Sequence, residues 1–402
     1  MAALDIQRLV SQAASPHTQA AGGGMDVLAA AFHGAVAKRL RTAAAQDPAA
    51  LALWQACPAL LERAPGASTA WWQPELGCAL WHATQGAPLA GTVQLLLARH
   101  AQGEPGRWQV QLAQPQRCSM AGHVFQLAGA VDLETDGATL TIGAHGAAAL
   151  RLQRAHGRWH CAGGAPHPAW EYCPPHFLEQ GALAGIYLQP WHGPEARCNA
   201  DIRIDWPRRQ ARPAAGTLEP QAAALSQALA LLHDAGTGYP AWIAAMLRGI
   251  CVTPMVEADQ HNSGSNIFHP GVVSCGFPVS APLLAEALVH ETSHQYFNLL
   301  HSVLPLVRPG ADAPRYYSSL KRQYRPLFLV LLAFHATANM SLLWCDLLRQ
   351  GAAAGCAGML QDTLRHSRSL AAHLHGNPDL SAAGAALFAA QCQLLAARGH
   401  PL

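Results

Sequence analysis

The sequence predicts an α+β fold, predominantly helical, with a helical C-terminal part and a β-containing middle region. Three observations carry that expectation: Ala/Leu-rich stretches with few breakers near both ends, short alternating segments between about residues 71 and 212, and a strand-like stretch at 250–279 set among helices. Residues 26–70 follow the triplet Gly22-Gly23-Gly24 and read as helices. The segments 108–112, 128–133 and 139–142 alternate apolar and polar residues between Gly, Pro and Asp, and read as strands joined by turns. From about Thr217 the long helical pattern returns. There is no internal repeat, and the stretch 207–213, with three Arg and two Pro, reads as a linker. The expected organisation is therefore a region 1–215, helical then β-containing, open to substrate recognition but carrying no motif that assigns it, and a region 216–402, helical, metal-binding and catalytic.

The chain has 402 residues, 50% of them hydrophobic and 12% charged, which places it among folded globular proteins and excludes a disordered one. Its net charge of +2, from 26 basic and 24 acidic residues, offers no global field for nucleic acid or an anionic membrane, so neither is expected as a partner. The 11 Cys include no CxxC pair, and the odd count cannot be paired within one chain, so reduced thiols are expected. The N-terminal stretch lacks the basic and long apolar regions of a secretory signal, and a cytoplasmic location is expected. The apolar stretch 327–345 is long enough to suggest a membrane span, but His335, Thr337, Asn339 and Ser341 at its centre make it a buried protein helix. Oligomeric state leaves no mark in the sequence.

The chemistry is concentrated in His290-Glu291-Thr292-Ser293-His294. Residues four apart share one face of a helix, so both imidazoles can address one metal ion. Pro282 in a first-turn position and the helix formers after it put the motif inside a helix. Two His are too few for a catalytic site. His301 lies eleven residues after His290, about 16 Å along a continuous helix, and is expected to be structural. His335, set in an apolar run behind Pro326, is the expected third ligand, with His269 in reserve. Between His294 and Trp344 the one acidic residue is Asp312, so the downstream Glu of many zinc peptidases is missing. The same segment carries Arg315, Lys321, Arg322 and Arg325. A metal beside a guanidinium that can clamp a carboxylate is what a 2-oxoglutarate-dependent iron oxygenase requires.

The stretch 260–345 resembles the HExxH-type peptide-modifying proteins of ribosomally made peptide natural product pathways. The resemblance rests on Ser263-Gly264-Ser265, on Pro270-Gly271-Val272-Val273, on residues 285–294 around the motif, and on Arg315-Tyr316-Tyr317 with Arg325-Pro326-Leu327. It departs from that family at residues 320–324, where members tend to have a Trp-Arg and acidic stretch. The resemblance implies an Fe(II)- and 2-oxoglutarate-dependent enzyme that hydroxylates the β-carbon of a residue in a precursor peptide, with His290 and His294 as iron ligands and a third on the downstream helix. Within that expectation Arg325, or else Lys321 or Arg315, pairs with the distal carboxylate of 2-oxoglutarate, and Glu291 orients a ligand or water. The alternative is a zinc metallopeptidase in which Glu291 is the general base. A peptide-binding scaffold with a purely structural motif is the non-enzymatic rival.

Overall fold

A computed structural model describes residues 6–18, 24–57, 73–144, 149–162, 172, 174–178, 185–190, 218–236, 238–254, 263–311, 313, 315–351 and 355–402. The linker expected at 207–213 lies outside the described residues. The described helices are α1 (Ile6–Ala14), α2 (Gly24–Ala44), α3 (Pro48–Ala56), α4 (Glu75–Thr84), α5 (Pro88–Ala101), α6 (Glu219–Ala235), α7 (Gly238–Met246), α8 (Ala281–Val303), α9 (Leu327–Arg349), α10 (Gly355–Leu374) and α11 (Ala382–Ala396). The fold is helix-rich α+β, as expected, but the helical run at the N-terminal end continues through α4 and α5 into the region read as strands. All but one of the 14 residues of α5 are buried, so it has no polar face and shows no amphipathic stripe to read.

Strands β1 (Gly106–Met120), β2 (His123–Thr135), β3 (Thr139–Ala144), β4 (Leu150–Ala155) and β5 (Arg158–Cys161) form an antiparallel meander in sequence order. Ala121-Gly122 and His156-Gly157, each with both φ angles positive, make the tight hairpin turns that match strand twist. A second sheet has the order β6-β7-β8-β10-β9, from β6 (His176–Phe177), β7 (Tyr187–Pro190), β8 (Gly249–Pro254), β9 (Ser263–Ser265) and β10 (Val272–Phe277). β7, β8 and β10 run parallel, with β6 and β9 antiparallel at the edges. All six residues of β10 are buried, as a central strand requires. This sheet takes strands from both sides of residue 215, and one hydrophobic core runs through both halves, so the core has no division there.

Two glutamines fasten helices to strands. Gln94 of α5 donates to the Ser119 carbonyl at 2.6 Å and accepts the Ser119 amide at 3.1 Å. Gln295 of α8 accepts the Gly271 amide and donates to the Val272 carbonyl, both at 3.1 Å, where β10 begins. Gly77 lets α4 sit against the same loop, since a Cβ there would run into the Phe268 carbonyl and the Pro270 ring.

α8 and α9 lie antiparallel. Trp344 meets Glu286, Met340 meets His290, Asn339 meets Ser293 and Phe328 meets His301, so position rises on one helix as it falls on the other. α9 is the one described helix long and apolar enough to cross a membrane, and 78% of its apolar window is buried inside the fold. At its far end Asp346 accepts two bonds from Arg398 and one from Tyr239.

Replacing Gln295 with Ala leaves the Gly271 amide and Val272 carbonyl buried and unpaired, so the expected loss is about 2–4 kcal/mol, from roughly 1–3 kcal/mol per orphaned group less partial relaxation. Urea unfolding checks this, and an unchanged midpoint would mean the amide clamp contributes nothing.

Candidate metal centre

α8 begins at an extended Ser280 with Pro282 in its first turn, and runs 23 residues, so the motif lies at mid-helix where the geometry is most regular. One ring nitrogen each from His290 and His294 and one carboxylate oxygen of Glu291 lie within 4.8 Å of one another. Among the described residues this is the one such cluster of His, Cys, Asp and Glu. The two imidazoles stand edge-on with centroids 4.5 Å apart. The His290 side chain is 31% exposed and that of Glu291 3%, so the cluster has an open side at His290 and a buried side at Glu291.

Partners around the cluster orient it. Nδ1 of His290 donates toward the Met340 thioether at 3.1 Å, which in the neutral ring leaves Nε2 as the lone-pair nitrogen, 3.8 Å from Glu291 Oε1. Ser263 Oγ, from edge strand β9, donates to that same Oε1 at 2.6 Å. Oε2 of Glu291 and Nδ1 of His294 are buried without hydrogen-bond partners among the described residues. Burial, reinforced by His290, His335, Lys321 and Arg325, holds the His294 pKa well below the usual imidazole value. Its ring is therefore neutral at pH 7, the form that ligates metals.

Lys321 and Arg325 belong to a hairpin of β11 (Tyr316–Ser318) and β12 (Gln323–Arg325) that leads into α9. Both lie close enough for their charges to act on His294, whereas Arg315 does not figure among the groups that do so. Arg325 is half-buried, its pKa lowered by desolvation, and it makes no ion pair among the described residues. Lys321 and Arg315 are exposed.

His335 is not brought into the cluster. Its Nε2 donates to the carbonyls of Ala13 at 3.0 Å and Ala14 at 3.1 Å, at the C-terminal end of α1. Asn339 and Gln391 also donate to the Ala14 carbonyl, so the ring is one of three side chains that satisfy that helix end. His301 accepts the Leu306 amide on Nδ1, and His269 is buried on the loop before β10, outside the cluster. Sequence reasoning missed Ser263 as a partner of Glu291, and it missed Met340 and Trp344, which occupy one face of α9 at a spacing of four.

Fold and site together define a helix-rich α+β protein carrying an HExxH-spaced cluster that could hold a metal ion. No family profile matches the chain, and no curated protein matches it.

Two expectations follow. His335→Gln keeps a donor for the α1 carbonyls and should leave metal uptake by His290 and His294 intact, whereas a ligand role would make it abolish uptake; metal content after reconstitution decides. Burial also lowers His335, His33 and His123 to about 4, so each stays neutral in the fold while the unfolded chain takes up a proton below about 6.5. Stability should therefore fall as pH drops from about 6.5 to about 4. Glu286, raised to about 7 by burial and partly offset by the Trp344 hydrogen bond, acts in the opposite sense, losing stability as pH rises from about 4.5 to about 7. His294, His100 and His301, also lowered by burial, act in the same sense as these three, so the imidazoles outweigh the one carboxyl and give a net loss in acid, which denaturant melts across that range measure.

Proposed function

We propose that the protein is an Fe(II)- and 2-oxoglutarate-dependent oxygenase that hydroxylates the β-carbon of a residue in a ribosomally made precursor peptide. The observation that carries this reading is Arg325, a half-buried guanidinium without an ion-pair partner among the described residues, whose charge acts on His294. A desolvated guanidinium with no carboxylate of its own favours an anionic ligand, and it can grip a carboxylate through two parallel hydrogen bonds. The resemblance of residues 260–345 to the HExxH peptide-modifying family points the same way.

The donor set fits a metal of this class. His290 and His294 would hold the ion, and the Glu291 carboxylate, buried with one oxygen unpartnered, is the anionic group in reach. Iron with 2-oxoglutarate would supply oxygen activation for breaking a C–H bond. The chain's own residues prepare the place: Met340 fixes the His290 tautomer, Ser263 fixes one oxygen of Glu291, and burial keeps His294 neutral. Arg325 would orient the co-substrate through its distal carboxylate, with Lys321 adding charge from the exposed turn.

A zinc peptidase is the second reading. The placement of the Glu291 carboxylate beside both imidazoles favours it, since a general base acting on metal-bound water needs that proximity.

The test is anaerobic. Metal-free protein receives Fe(II) and then 2-oxoglutarate, and the expected result is a visible metal-to-ligand charge-transfer band. The band should weaken in Arg325→Ala and vanish in His290→Ala. Folded protein that retains zinc and develops no band would instead put the peptidase first.

A further inference from the structure

Of the six large apolar side chains that stand exposed among the described residues, three are on the β11–β12 hairpin: Tyr317 at 43%, Leu320 at 38% and Tyr324 at 65%. Tyr317 and Tyr324 are cross-strand partners whose rings meet edge-on at 5.7 Å. Around them Arg315, Lys321 and Arg322 are exposed, and residues 315–325 contain no Asp or Glu. None of the three cations makes an ion pair among the described residues. Arg322 closes the turn with a φ of 52°, a left-handed conformation that a glycine would adopt more easily.

The two edges of the hairpin differ. His373 of α10 donates to the Tyr317 carbonyl at 3.1 Å, and Asn377 donates to the Tyr316 hydroxyl at 3.1 Å, so β11 is held against the body of the protein. β12 has β11 on one side and no strand on the other among the described residues. An open strand edge is a template for another extended chain. Its flanking charges select which chain.

We propose that this hairpin docks an extended acidic polypeptide segment, which pairs its backbone with the open edge of β12 and its carboxylates with Lys321 and Arg322. The segment is thereby led toward the motif helix, because β12 ends at Arg325 and runs into α9, which packs against α8 at Met340 and His290. The inference rests on the proposed function in taking a polypeptide as substrate, and it adds where and by what chemistry that substrate is held. A polynucleotide fits less well: it has no backbone amides for a strand edge, and the two Tyr rings close on one another rather than splaying as stacking platforms.

Fluorescence anisotropy on the full-length protein tests it without turnover. The probes are labelled peptides of about twelve residues alternating Glu with Thr, the Gln and Lys counterparts, the acidic peptide N-methylated at every other residue in either register, and oligothymidylate of similar length. The acidic peptide should bind, and the Lys peptide should not. Affinity should fall by about tenfold in the Lys321→Glu/Arg322→Glu variant, and by a similar factor for one of the N-methylated registers. Equal binding of the Glu and Lys peptides, an unchanged affinity in the double variant, insensitivity to N-methylation, or tighter binding of oligothymidylate would each overturn it. The outcomes separate from those of the metal test: peptide binding without a charge-transfer band leaves docking standing and removes the oxygenase, and the band without peptide binding does the reverse.

Discussion

The requirement that buried polar side chains find partners governs how α8 and α9 meet, and with it the rest of the structure. Both helices carry imidazole, amide or carboxyl groups into an apolar core, where each orphaned group costs about 1–3 kcal/mol. Trp344 serves Glu286, Met340 serves His290 and Asn339 serves Ser293, so the pairs act together as a register. Sliding one helix by a turn would unpair all of them at once. The same rule extends outward, since Gln295 ties α8 to β10 and His335, Asn339 and Gln391 converge on the end of α1. The N-terminal helix is thus part of the scaffold behind the cluster.

That scaffold sorts the ionisable groups along α8 by their surroundings. Glu286, one turn before His290, is part-buried, accepts the Trp344 indole N–H and is raised to about 7 by desolvation. Glu291 is buried too, but takes the Ser263 hydroxyl and sits beside two imidazoles. His294 is held neutral by burial and by the cations near it. Two glutamates five residues apart on one helix thus meet different partners, an indole for Glu286 and a hydroxyl with two imidazoles for Glu291.

How much of this was legible in the sequence follows from how local each feature is. The motif helix could be read because Pro282, the helix formers after it and the spacing of His290 and His294 all lie within one element. Burial of the 327–345 stretch could be read from its internal polar residues. The partners of His335 could not, since the Ala13 and Ala14 carbonyls are 322 and 321 positions away. A His on an apolar helix has the same local signature whether it meets a metal or a carbonyl. α5 was lost for a related reason: buried on nearly all sides, it has no polar stripe to give it a period. The cations at 315–325 were legible as a group, but only the fold separates half-buried Arg325 from exposed Arg315, Lys321 and Arg322.

That separation bears on which chemistry the cluster suits. A dication held by two neutral imidazoles and the Glu291 carboxylate would face Lys321 and Arg325 nearby, a local excess of roughly three positive charges in a partly desolvated setting. An anionic co-ligand would relieve that repulsion directly, while solvent screens the share that comes from exposed Lys321. A dianion such as 2-oxoglutarate, with one carboxylate at the metal and the other at Arg325, would lower the excess to about one, whereas a neutral scissile amide would leave it untouched. Arg325 is half-buried and has no ion-pair partner among the described residues, and a guanidinium so placed favours an anionic ligand. An anionic co-ligand at Arg325 would answer that preference, and in the proposed docking the exposed Lys321 and Arg322 would meet the approaching polypeptide, with Lys321 contributing to both.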